Sequence, residues 1–352
     1  MKHFTKRLLS AVLAVETAAF LFTACTVADP SATRAESQAV ISSAPEREHT
    51  KPVSNAEFNI DGSILVLYKG SGGSVTIPEG ITEIGEEAFG SSSISDVKIP
   101  ESVTKIDGEA FYECNKLTNV TIPKSVTEIG EYAFSDCDSL ANITIPKSVT
   151  QIGISAFNGT PWLKNFKTDF VMVNNILVKY KGNKNSVEVP NGITKIGDGA
   201  FSEDDSLLSV NIPDGVVSIG DGAFSNCLQL DNVTLPDSLT SIGDSAFCNC
   251  YLSNIKIPKS VTEIGEGAFD LTTWLKGNHN DFIIVNGILI QYNGHYENVE
   301  IPAGVTSIGV RAFSSLMSPD QITLSVTLPR GIKEIGDYAF SACEKLKNIT
   351  LP

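Results

Sequence analysis

The chain has 352 residues, of which 42% are hydrophobic and 19% charged, a globular composition. Its 41 acidic and 26 basic side chains leave a formal charge of −15. Such a surface repels phosphate backbones and anionic lipid, which excludes nucleic acid as a partner; solubility alone accounts for the acidic excess.

Residues 1–24 read as an export signal. Lys2, Lys6 and Arg7 precede an apolar run from Leu8 to Phe22, and small residues follow. The run is too short to span a bilayer comfortably, and no second such segment exists. Cys25, directly after Thr23-Ala24, resembles the lipobox cysteine of bacterial lipoproteins, although Phe22 stands where leucine is usual and Glu16 interrupts the apolar run. That resemblance implies a diacylated Cys25 as the new N-terminus. An ordinary secretory leader cut nearby is the alternative. Residues 25–57 are rich in Ser, Ala, Pro and Glu and poor in large apolar side chains, so they are expected to be a disordered tether. Its root-mean-square reach would be about 30 Å.

From Glu79 onward a phrase built on Val-Thr-x-Ile-Gly-x-x-Ala-Phe and Val-x-Ile-Pro recurs. Ala-Phe ends at Phe89, Phe111, Phe134, Phe157, Phe201, Phe224, Phe247, Phe269, Phe313 and Phe340. The commonest step between them, about 23 residues, falls within the range of leucine-rich repeats. Residues 58–352 are therefore expected to form a β-rich leucine-rich-repeat solenoid of ten units, with short strands, helical turns and β-hairpin inserts. In Leu117-x-x-Val120-x-Ile122 the apolar side chains of a strand point one way and Thr121 points out. One such strand cannot bury its face alone, but about a dozen stacked strands can. Pro123 ends the strand, and Ser125, or Gly192, Gly215, Gly304 and Gly331 at the matching places, supplies a turn. Ile129-Gly130 is expected to lead into a helical turn carrying Ala133 and Phe134. The acidic residue after that glycine, such as Glu131, Asp198 or Asp337, would then stabilise a helix N-terminus. The dense Asp spacing of calcium loops is missing.

A second order of repetition is superimposed. Glu57-Phe58, Asp169-Phe170 and Asp281-Phe282 open three similar segments at equal intervals along the chain. Each carries a turn dipeptide between apolar runs: Asp61-Gly62, Asn174-Asn175 and Asn286-Gly287. Hairpin inserts are thus expected at 58–77, 160–189 and 272–301.

These phrases, with the Asn-Gly-Ile-Leu-Ile-x-Tyr inserts, resemble the BspA-type leucine-rich-repeat family of bacterial surface proteins over residues 58–352. The resemblance implies a curved β-rich solenoid on a secreted or surface-attached protein. Some members are adhesins for host matrix proteins or other cells. No catalytic residues are shared within the family, so none carry over.

Sequence signatures of chemistry are few. There is no nucleophile elbow, phosphate loop or His-Glu-x-x-His, and nearly every carboxylate is phased with the repeat, so neither catalysis nor a cofactor is expected. His279 and His295 flank one hairpin near Asp281, but the equivalent insert lacks both, which reads as loop histidines and no metal site. Cys114, Cys137, Cys227, Cys250 and Cys343 each lie three residues after a repeat Phe, with Cys248 as an extra. They are expected to be small buried fillers with free thiols, because stacked neighbours about 5 Å apart suit disulfides poorly. Trp162 and Trp274, separated by the same interval as the inserts, are expected to pack beneath them, or else to anchor a partner.

The outward strand column is the candidate binding face, with Thr121, Thr144, Glu188, Asn211, Thr234 and Lys256 as its central residues. Beside it run Asn119, Asn142, Ser186, Ser209 and Asn232. Asn ladders and the strand propensity of Thr explain the same pattern without a ligand. The expected partner is a protein or glycan on host or neighbouring cells, with membrane contact only through the lipid anchor. The alternative is a structural stalk, or one repeat module of a larger secreted protein, because Leu351-Pro352 ends on a repeat strand with no polar cap.

Overall fold

The computed structural model describes residues 57–313, 324–341, 343 and 346–351. The chain is a β-solenoid with two short helices among the described residues. It divides into two compact units. The first comprises the described residues to Gly182 together with Ile196–Ala200, and the second Asn183–Lys195 and the residues from Phe201 on.

In the first unit each rung contributes two strands to two ladders. Asn119–Thr121 alternates exposed, buried, exposed, with Val120 in the core. It pairs in parallel with Asn142–Thr144, residue for residue. Gly73–Thr76 and Ile94–Lys98 complete that sheet, so Val97 and Val120 share it as the repeat requires. Pro123 then turns the chain, its carbonyl accepting the Val126 N–H at 3.1 Å. A second strand of two residues follows, Glu128–Ile129, paired with Lys105–Ile106 and Gln151–Ile152. The second unit repeats both ladders. Ser186–Glu188, Ser209–Asn211 and Asn232–Thr234 form one, and Ser218–Ile219, Ser241–Ile242 and Glu263–Ile264 stack in the other.

The segment after Gly130 corrects the expected helical turn. Tyr132, Phe134 and Asp136 donate their N–H groups to Ile154, Ala156 and Asn158 of the next rung, at 2.7–2.9 Å. The intervening Ala133, Ser135 and Cys137 donate back three residues, to Gly130, Tyr132 and Phe134. Every backbone donor from Tyr132 to Cys137 is thereby used, half within the rung and half between rungs, and no helix forms. The cost is a left-handed residue as the third member of alternate turns: Tyr132 at φ 50° and Asp136 at φ 56°. Gly222 and Gly267 hold the first of these places in other rungs, where glycine carries no penalty. The acidic column therefore caps no helix. Asp221 Oδ1 accepts the Asp244 N–H at 2.8 Å, and Asp244 Oδ1 accepts the Glu266 N–H at 2.6 Å, so these carboxylates tie rung to rung.

The repeat phenylalanines stack into a buried column. In the first unit it runs Tyr68, Phe89, Phe111, Phe134, Phe157, with ring centroids 4.9–5.8 Å apart. Phe58 covers one end at 5.4 Å and Trp162 the other at 4.7 Å. Trp162 and Trp274 lie half-buried on the short helices Pro161–Lys164 and Thr273–Lys276, and Trp274 closes the column ending at Phe269. Both helices start at a buried threonine: Thr160 Oγ1 accepts the Leu163 N–H, and Thr272 Oγ1 the Leu275 N–H.

Each insert holds an antiparallel hairpin, and the bulge falls at the same place in all three. Their second strands run on into the ladder of two-residue strands, Ile64–Tyr68 beside Glu83–Ile84 and Ile288–Tyr292 beside Ser307–Ile308. Asn174-Asn175 and Asn286-Gly287 form the turns as read from the sequence, whereas the first turn is Gly62-Ser63. Asp61 remains in the strand, paired with Ile64, because Gly62 supplies the positive φ of 61° that opens the turn.

Candidate binding surface

The strand ladders place the expected outward residues as follows. Thr121 and Thr144 are exposed and in register on the four-stranded sheet of the first unit. Glu188, Asn211 and Thr234 form an exposed, in-register column on the three-stranded sheet of the second. Asn211 Nδ2 donates to Glu188 Oε2 at 2.6 Å. Glu300, Thr327 and Thr350 continue the pattern on a further three-stranded sheet. Sequence phase alone does not reveal that the column is divided among separate sheets.

Lys256 departs from the expectation. It is exposed, but residues 254–256 form no strand, and the ladder stops at Asn232–Thr234. The local cause is Asp231. Its Oδ1 takes both the Ser253 N–H at 3.2 Å and the Ser253 hydroxyl at 2.6 Å. In the previous rung the matching N–H, that of Asp231, goes to the Leu208 carbonyl instead.

The flanking column is internally bonded. Asn142 Nδ2 donates to Asn119 Oδ1 at 2.8 Å, and Ser209 Oγ to Ser186 Oγ at the same distance. The surface is thus polar, with donors and acceptors repeated at strand spacing, about 4.8 Å. Such an array can hydrogen-bond to a broad partner.

Cys114, Cys137, Cys227, Cys250 and Cys343 are buried and carry free thiols, each facing the phenylalanine carbonyl of the preceding rung, from 3.0 Å for Cys137 to 3.6 Å for Cys343, whereas Cys248, also buried, is not a free thiol, contrary to the expectation. Burial pushes the Cys343 thiol up to about 12, far from a reactive thiolate. His279 and His295 are exposed. Among the described residues no group of three or more His, Cys, Asp or Glu could hold a metal ion, and no helix is long and apolar enough to cross a membrane. Cys25, the leader 1–24 and the tether up to residue 56 lie outside the described residues.

The carboxylates have a consequence for stability. Burial raises the pKa of the half-buried Glu83, Glu109 and Glu266. Neighbouring carboxylates add to this at each, with Glu87, Glu86 and Glu131 acting on Glu109, while Arg311 opposes it at Glu266. A carboxyl that holds its proton more tightly when folded destabilises the fold once ionised. Stability should therefore rise as pH falls from neutral through the raised folded values, and the gain is complete below the unfolded range near about 4.3. Thermal melting should give a higher Tm at about pH 5 than at about pH 7.5. A Tm that falls steadily over that interval would contradict the assignment.

No curated protein sequence matches the chain. Among solved structures it is similar to a leucine-rich cell surface protein from Faecalibacterium prausnitzii, at 26% identity and a TM-score of 0.32, covering 86% of this chain and 76% of that one. It is also similar to a leucine-rich repeat protein from Bacteroides ovatus, at 24% identity, a TM-score of 0.31, and 87% and 76% coverage. The pneumococcal vaccine antigen PcpA aligns at 18% identity with a TM-score of 0.34, covering 79% of each chain. The family model described as BspA type leucine rich repeat region matches in six copies, over residues 67–176, 171–279 and 290–352. With its repeat phrase folded into paired ladders over a phenylalanine column, the chain belongs to the BspA-type leucine-rich-repeat family.

Proposed function

We propose that this protein is exported, held at the bacterial surface by a lipid on Cys25, and attaches to protein or glycan ligands through its strand face without catalysing a reaction. The carrying observation is the column Glu188, Asn211, Thr234, exposed and in register above the buried Val187 and Val210. Contacts repeated from rung to rung favour avidity over one tight pocket. The family membership and the export signal in residues 1–24 support a surface location.

The test changes Glu188, Asn211 and Thr234 to lysine together in the full chain, and measures attachment to immobilised matrix proteins and to a glycan array. Attachment should be lost while the circular dichroism spectrum is unchanged. The charge-matched control is Glu203→Lys with Asp205→Lys, at two exposed positions on the turn segments, and it should retain attachment. Loss in the control with no loss in the triple variant would move the binding surface to the turn side. Absence of attachment by the parent chain would end the binding reading. In cells, Cys25→Ala should shift the protein from the membrane fraction to the medium, and parent protein without acyl mass would refute the anchor.

A further inference from the structure

The three hairpins share one design. Tyr68, Tyr180 and Tyr292 donate their N–H groups to Ala88, Ala200 and Ala312 at 2.7–2.8 Å, and the bulge recurs at Asn59/Ile60, Val171/Met172 and Ile283/Ile284. They differ at the face turned toward the preceding rung. In the second hairpin Val171 and Val173 are buried. Asn174 Nδ2 reaches back to the carbonyls of Pro146 and Val149, at 3.2 and 2.9 Å. In the third, Ile283 is buried and Val285 half-buried. There Asn286 Nδ2 reaches the carbonyls of Pro258 and Val261, at 2.7 and 2.9 Å. The docking device is therefore two apolar side chains and one asparagine, made twice in the same way.

The first hairpin has the same backbone but carries none of the three. Asn59 and Asp61 stand where the second hairpin has Val171 and Val173 and the third Ile283 and Val285, and both are exposed. Gly62 stands in the place of Asn174 and has no side chain to reach back with. We infer that the first hairpin is a built-in terminus, whose outer strand turns only the polar Asn59 and Asp61 outward, so that neither another rung nor the end of a second copy of this chain docks there as the internal hairpins do. An apolar outer strand there would be an open template for pairing, and solenoids end on units with a polar outer face.

The test uses sedimentation velocity on the full chain carrying Cys25→Ala, so that no lipid drives association. The parent should sediment as one species at every concentration. Adding Asn59→Val, Asp61→Val and Gly62→Asn, which installs the internal docking face, should produce larger species whose fraction grows with concentration. A parent that self-associates and is dissociated by Asn59→Lys with Asp61→Lys would overturn the inference. So would a folded triple variant that stays a single species. Should the triple variant fail to fold, the reciprocal change decides. Val171→Asn, Val173→Asp and Asn174→Gly should undock the second hairpin and speed tryptic cleavage at Lys164 and Lys167, and an unchanged cleavage rate and Tm would refute the role of these positions.

Discussion

Replacing Phe134 with alanine should destabilise the solenoid by about 3–5 kcal/mol, the range for deleting a fully buried aromatic side chain. Its ring is completely buried between Phe111, 5.0 Å away and nearly parallel at 4°, and Phe157, 5.8 Å away at 9°. The void cannot close by a side-chain rearrangement. Phe111 and Phe157 sit on rungs whose spacing is held by backbone bonds, Phe111 N–H to the Ala133 carbonyl at 2.8 Å and Phe134 N–H to the Ala156 carbonyl at 2.7 Å. Collapse would need whole rungs to shift, so the cavity should persist and the cost should fall toward the upper end of the range. In a repeat array each rung is stabilised by its two neighbours, and a mid-column truncation damages both interfaces. Phe58→Ala, at the column's end with one ring partner, Tyr68, should cost less. Urea unfolding of the two variants beside the parent measures the difference. A Phe134→Ala loss below about 1 kcal/mol would mean that the ring column is not what holds the rungs together.

That column is legible in the sequence because Ala-Phe recurs at a fixed step, and a fixed step in a solenoid is a column. The outward strand residues are legible for a similar reason, since Asn119, Val120 and Thr121 alternate with the period of a strand. The turn segment is not. Its left-handed positions hold Glu109, Tyr132 and Arg311 as well as Gly222 and Gly267, so residue type marks them only in some rungs. The inter-rung bonds that compensate the strain at Tyr132 come from the next rung, which no local pattern encodes. The two-residue strands escape notice because Glu128-Ile129 is too short to show any period. By contrast the first short helix carries a readable signal, Thr160 as cap followed by Pro161 at the first helical position. The loss of Lys256 from the ladder turns on one carboxylate, Asp231, whose competition with a backbone acceptor depends on geometry between rungs. The chemistry of the candidate surface can be read from the repeat, but not which of its residues share a sheet.

Gly182→Ala should destabilise the protein by about 1–3 kcal/mol through overpacking, although it adds a single methyl group. A Cβ at this position would lie 2.3 Å from Tyr180 Oη and 2.4 Å from Cζ. The ring cannot simply swing away, because Tyr180 is 5% exposed and packs against Phe170 at 5.2 Å. Gly182 does not have a positive φ, so its requirement is for space rather than for backbone freedom. Gly192 presents the opposite case, at φ +90° with nothing within 4 Å of a Cβ, and Gly192→Ala should show only the conformational penalty. The steric origin can be isolated with a double-mutant cycle. Tyr180→Leu shortens the ring that meets the new methyl group, so the double variant Tyr180→Leu/Gly182→Ala should be less destabilised than the two single losses added together. Strict additivity would show that the tyrosine and the glycine do not constrain each other. The same pairing recurs at Tyr68 with Gly70, 2.1 Å, and at Tyr292 with Gly294, 2.4 Å, so the coupling should have the same sign in all three hairpins.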